Sequence, residues 1–102
     1  MIIENNCLVC KICEREITDK SYWDEHHLIP KAKGGKYSEK VKLHRICHEK
    51  IHSLWTEAEL ANIYNTVESI LTNQSMISFV KWVKKKSPEF YVKTKLNNNR
   101  KY

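Results

Sequence analysis

The sequence predicts a small α+β domain in which two short strands and a helix gather around clustered cysteine and histidine, with two more helices after them. Three observations predict it. The chain has 102 residues, enough for one modest core. All five histidines lie between His26 and His52, and a C-x-x-C pair, Cys10 and Cys13, precedes them. The apolar pattern then changes from short extended pieces in the first half to three-and-four spacing in the second.

Taken in order, residues 21–29 mix aromatic, acidic and apolar side chains and read as a strand. The two glycines, Gly34 and Gly35, are adjacent and flanked by Lys33 and Lys36, which marks a turn or flexible loop. Residues 41–43 alternate as a second short strand. A helix is expected from Arg45 to about Trp55, where Ile46, Ile51, Leu54 and Trp55 recur at roughly helical spacing. Thr56 and Glu59 form a capping box opening an amphipathic helix over residues 57–71, carried by Leu60, Ile63, Tyr64, Val67, Ile70 and Leu71. A last helix is expected from Ser75, with Met76, Phe79, Val80 and Val83 in phase and Pro88 ending it. Asn97, Asn98 and Asn99 belong to a frayed tail. Residues 1–55 thus form a core that holds the chemistry, and residues 56–102 a helical extension with a basic tail, within one compact domain.

Charge is divided unevenly. Residues 1–80 hold ten Lys and Arg against eleven Asp and Glu, whereas residues 81–102 hold eight against one. All the excess of the net +6 therefore lies in the last stretch, where it favours approach to a polyanion. A second basic stretch, Lys31, Lys33, Lys36, Lys40 and Lys42, falls among the histidines. No apolar run approaches the roughly 20 residues of a membrane span, and no basic segment leads into an apolar one at the N-terminus. A cytoplasmic protein, bacterial or phage-like, with DNA rather than membrane as partner, is the expectation. Without a secretion signal, the C-x-x-C spacing favours metal over disulfides.

Cys10 and Cys13 can grip one tetrahedral ion, and His44-Arg-Ile-Cys47 supplies a second pair at the same spacing. Together they make a closed Cys3His set for a structural Zn²⁺, with Cys7 as a bystander. His48 and His52, four apart, share one helix face and can hold a second ion. His26 and His27 are adjacent in an extended segment, so they point to opposite sides; one can ligate while the other does something else. Three imidazoles would leave open positions, as catalytic ions require, and a fourth is a ready general base. A different division is also open: His44, His48 and His52 form a stripe that could serve one ion, with Cys7 recruited beside the cysteines. The split assignment keeps two matched knuckles, and consecutive Cys47 and His48 diverge by about 100° on a helix.

Cys10-Lys-Ile-Cys13, Glu25-His26-His27-Leu28-Ile29-Pro30 and Leu43-His44-Arg45-Ile46-Cys47-His48 with His52 together resemble the HNH nuclease family, over roughly residues 10–52. The resemblance implies a ββα-metal (His-Me finger) core, with His27 as the general base that activates water. It implies that His26, His48 and His52 hold a divalent ion (Mg²⁺, Mn²⁺, Ni²⁺ or Zn²⁺), and that DNA phosphodiesters are hydrolysed to 5′-phosphate and 3′-hydroxyl ends. Two departures stand out. His44 replaces the first cysteine of the second knuckle. The family's middle asparagine has no clear counterpart; Glu39 lies near its place, and Asp24 or a backbone carbonyl is left to orient the base. Arg45, Lys31 and Lys33 are the candidate phosphate contacts. The rival readings are a zinc-stabilised DNA-binding module without activity and a zinc adaptor that binds another protein. The group His26, His27, His48 and His52, which a pure binding finger does not need, favours the enzyme.

Overall fold

The computed structural model describes residues 8–37 and 39–93. Cys7, the asparagines at 97–99 and the end of the basic tail lie outside the described residues. Within them the chain is a small α+β unit of two two-stranded antiparallel sheets and four short helices. Among the described residues, no helix is long and apolar enough to cross a membrane.

The first sheet, β1 (Leu8–Val9) and β2 (Glu16–Ile17), is a hairpin whose turn is the Cys10–Cys13 knuckle. Cys10 N–H donates to Arg15 O and Glu14 N–H to Cys10 O, and Glu14 takes φ 66° to close so tight a reversal. The second sheet pairs β3 (Trp23–His27) with β4 (Lys40–His44), in a register that sets His26 opposite Val41 and Trp23 opposite His44. Both strands run slightly past their expected bounds or within them, as pairing requires: β3 is shorter than residues 21–29, and β4 longer than 41–43. The connection holds a turn, as the glycine pair suggests. A 3₁₀ turn, Lys31–Lys33, follows Pro30, and Gly34 closes it at φ 88°. Gly35 is buried, and a Cβ there would stand 1.7 Å from Ile29 O, so only glycine lets the loop close on the strand end.

Helix α1 (Arg45–Leu54) follows β4 without a break and lays Ile46, Cys47 and Ile51 into the core with Leu43. The single helix expected over residues 57–71 is instead two: α2 (Glu57–Asn62) and α3 (Val67–Ile70). Thr56 and Glu59 form the expected capping box, but Thr66 and Ser69 form a second one that starts a new helix. Asn65 turns its amide onto Ala61 O, and Ile63, counted in the apolar stripe, is 59% exposed at the break. Local capping outcompeted a periodicity that looked continuous. The last helix, α4 (Gln74–Val83), begins one residue before Ser75 because Asn73 caps Ser75 and Met76 N–H. It ends at Val83, ahead of Pro88, in tight turns over Lys84–Lys86.

Leu60, Ile70, Met76 and Val83 from α2–α4 complete the core under α1. Residues 87–91 then return across the first hairpin: Ser21 Oγ donates to Pro88 O, Thr18 Oγ1 to Glu89, and Arg15 to Ser87 O. The extension and the Cys/His half are therefore one packed body.

Candidate metal centres

Two groups of ligand-type side chains form around the start of α1. In the first, Cys10, Cys13, His44 and Cys47 are each 0–1% exposed, and one donor atom from each lies within 4.8 Å of all the others. The hairpin knuckle supplies two thiols, the end of β4 supplies His44, and the first turn of α1 supplies Cys47. His44 Nε2–H donates to Glu16 O at 3.1 Å, which turns Nδ1 to the thiols, 3.4 Å from Cys13 Sγ. His44 N–H and Arg15 Nε–H donate to the sulfurs of Cys10 and Cys13 at 3.3 and 3.2 Å. Such donors stabilise thiolate, the form that binds metal.

The same crowding shifts the acidities of these groups. Sulfur contacts from Cys10 and Cys47 pull the Cys13 thiol far down, while contacts with Cys10 and Cys13, reinforced by burial, push Cys47 far up. Burial would lower His44, but its contacts with Cys10 and Cys13 outweigh that and raise it to about 9. Three buried sulfurs and an imidazole thus share protons they cannot place comfortably. A tetrahedral zinc ion resolves that conflict, and the donor set Cys3His suits it. These four residues can hold a zinc ion.

The second group is His26, His48 and His52, whose donor atoms also lie within 4.8 Å of one another. Ring centroids are 5.1 Å (His26–His48), 5.4 Å (His26–His52) and 4.8 Å (His48–His52), all edge-to-face. His26 comes from the inward face of β3, and His48 and His52 are one turn apart on α1. Burial lowers His26 to about 3 and His52 to about 4, helped by neighbouring imidazoles. The His26 and His52 rings are therefore neutral and able to donate lone pairs near pH 7. His26 Nε2 is fully buried and has no hydrogen-bond partner. A buried orphan nitrogen facing two other imidazoles fits an ion better than it fits a packed core.

Asp24 sits two residues before His26 on the same face of β3 and accepts from His48 Nδ1–H at 3.2 Å and from Arg45 Nη2 at 3.4 Å. The carboxylate fixes the His48 tautomer with Nε2 free for the group. Asp24 therefore orients His48, not His27 as one expectation had it. His27 is half-buried, next to His26 on the strand, and outside the three-ring group. The carbonyl of Glu39 accepts from Leu28 N–H, next to His27. Arg45 lies over the Tyr22 ring with its side chain 42% exposed, and Lys31 and Lys33 are exposed on the 3₁₀ turn.

Sequence reasoning missed Arg15, Tyr22, Glu49 and Tyr91. The Tyr22 and Tyr91 rings meet at a tilt of 55° with centroids 5.3 Å apart, and Tyr91 O–H donates to the Glu49 carboxylate on α1. Asp24 was legible as an orienting residue, though not its partner His48; no local signal brings Tyr91 back to α1.

Uncharacterized protein YisB of Bacillus subtilis (strain 168) is 38% identical to this chain over 93 residues, covering 91% of this chain and 90% of YisB. The chain belongs to the YisB family. No family model and no solved structure matches it. Since the likeness to YisB runs through nearly the whole length of both chains, the helical extension belongs to the family as much as the Cys/His half does.

Proposed function

We propose that this YisB-family protein is an HNH-type endonuclease that hydrolyses DNA phosphodiester bonds, with a ββα-metal core formed by β3, β4 and α1. The observation that carries the reading is the convergence of His26, His48 and His52, with the His26 Nε2 buried and unpartnered, directly before His27 in the chain. A closed Cys3His set alone would serve a binding module; this second, three-nitrogen set has no structural task there.

In this reading His26, His48 and His52 hold a divalent ion, Mg²⁺, Mn²⁺, Ni²⁺ or Zn²⁺. With the ion bound, the chemistry supplied is polarisation of the scissile phosphate and stabilisation of charge on the departing 3′ oxygen. His27 takes the proton from the attacking water. Asp24 holds the His48 ring through Nδ1, so that ligand does not have to be ordered when substrate arrives. Arg45, held by Asp24 and Tyr22, presents its guanidinium to a phosphate, and Lys31 and Lys33 contact the backbone of the duplex without reading its sequence. Cys10, Cys13, His44 and Cys47 set the phase of α1 against β3.

Purified protein supplied with Mg²⁺, Mn²⁺ or Ni²⁺ should nick supercoiled plasmid and leave 5′-phosphate ends. His27→Ala should lose nicking while keeping its zinc content and circular dichroism spectrum. Nicking by that variant at the parent's rate would remove His27 from the mechanism, and no nicking by the parent with any metal would remove the nuclease reading.

A further inference from the structure

On the far side of α1 lies a second feature that the histidines do not use. Lys50 is two residues from both His48 and His52, so it points roughly opposite to them around the helix. With Gln74, Ser75, Ser78, Phe79 and Trp82 of α4 it lines an open groove of about 530 Å³, and none of these six residues is acidic. Trp82 lines the groove with 43% of its surface exposed. Its ring is 6.0 Å from Phe79 and 5.6 Å from Phe90, giving a run of three aromatics. Lysine amines rest on these rings: Lys50 over Phe79 at 5.8 Å, and Lys86 over Trp82 at 5.2 Å and Phe90 at 5.5 Å. The exposed Lys81, Lys84 and Lys85 follow on the same segment, which begins the stretch of eight Lys and Arg against one acid.

We propose that this groove between α1 and α4 is a stacking platform for an unpaired nucleic-acid strand. Flat aromatic faces flanked by cations match the two chemistries of such a strand, bases that stack and phosphates that repeat. A lysine resting on a ring can turn to a phosphate as a base takes the ring face. A duplex keeps its base faces stacked inside and cannot use the platform, and an acidic peptide would satisfy the lysines while leaving the rings without a stacking partner. Gln74, Ser75 and Ser78 add hydrogen-bonding groups along one wall. The proposal does not depend on the nuclease reading, because the groove shares no residue with the three-histidine group.

The test is a titration of the zinc-loaded protein, without added divalent ion, by oligo(dT) and by an abasic deoxyribose-phosphate strand of equal length. Tryptophan fluorescence and anisotropy are read for the parent, Trp82→Leu and Lys50→Gln. Oligo(dT) should quench the parent's fluorescence and bind about tenfold tighter than the abasic strand. Trp82→Leu, which keeps an apolar side chain against Phe90, should erase that preference and the quenching while leaving abasic binding unchanged. Lys50→Gln should make binding less steeply salt-dependent, by about 0.7 in the log–log slope. Equal affinity of the parent for both strands, a preference that survives Trp82→Leu, or competition by polyglutamate as effective as that by oligo(dT) would each overturn the platform. A failure here leaves plasmid nicking untouched, and a failure to nick leaves this titration interpretable.

Discussion

Asp24→Asn removes a negative charge shared by two cationic or proton-donating partners, His48 at 3.2 Å and Arg45 at 3.4 Å. At 3.4 Å the Asp24–Arg45 pair of unit charges is worth about 1 kcal/mol at the permittivity of water and about 5 kcal/mol at the effective permittivity near a protein surface. The Asp24 side chain is 29% exposed, so solvent takes a large share and the lower part of that range applies. Loss of a carboxylate behind a ligating imidazole commonly weakens metal binding about 10- to 100-fold, or about 1.4 to 2.7 kcal/mol, which falls inside those bounds. Asparagine keeps an acceptor oxygen and the side-chain shape, so the loss reports charge and ring orientation rather than a cavity. Calorimetric titration of zinc-loaded protein with Ni²⁺ or Co²⁺ should show that weakening, while the tightly held zinc stays, because Asp24 makes no hydrogen bond to Cys10, Cys13, His44 or Cys47. Affinity within twofold of the parent would refute the role given to Asp24. Loss of the tight zinc instead would refute the separation of the two groups.

Three further outcomes are expected. Cys47→Ser should lose the dialysis-resistant zinc and with it on the order of 10 kcal/mol of apparent folding free energy, read as loss of helical circular dichroism on purification. Gly35→Ala places a methyl 1.7 Å from Ile29 O and should cost about 3 kcal/mol, lowering the melting temperature by more than about 10 °C; an unchanged melting curve would show that the β3–β4 loop closes differently. Burial holds His26 at about 3 and His52 at about 4, below the usual imidazole value, so between there and about pH 6.5 the unfolded chain binds more protons than the folded one. The stability contributed by these neutral rings is complete above about pH 6.5 and is lost as pH falls, at up to about 1.4 kcal/mol per pH unit for each ring; urea titrations of His26→Gln should show a shallower decline than the parent.

The readable part of the sequence was the part governed by local geometry. Cys10 with Cys13 and His44 with Cys47 are three apart, and His48 and His52 four apart, so spacing alone put each pair within reach of one ion. The glycine pair and the short alternating strands fixed the β3–β4 hairpin for the same reason. The helices failed where two local preferences competed: Leu60 to Leu71 keeps an apolar period, but Thr66 with Ser69 caps a new start inside it, and Asn65 closes the first helix on Ala61. What could not be read was contact at long separation. Arg15 with Ser87, Ser21 with Pro88 and Tyr91 with Glu49 join residues 42 to 72 positions apart. The pairing of Lys50 with Phe79 is of the same kind, as is the groove it helps line.

The two ligand groups share helix α1, and that makes their failures unequal. Cys47 and His48 are consecutive, about 100° apart around the axis, so any rotation that withdraws one moves the other. Cys47 is anchored by three partners from the hairpin and from the end of β4, all buried. His48 and His52 have one ligand partner on β3, His26, and the partly exposed Asp24 carboxylate stands behind His48 alone. The helix is therefore phased by the first group and merely used by the second. Disrupting Cys10, Cys13, His44 or Cys47 should release α1 and scatter the three histidines, abolishing both metal affinities together. Replacing His26 or His52 should leave the zinc, the helix and the core in place and remove only the weaker site. If a His26 variant lost the tight zinc as readily as a Cys47 variant, α1 would have to be phased by the histidines, and the assignment of structural and chemical roles would have to be reversed.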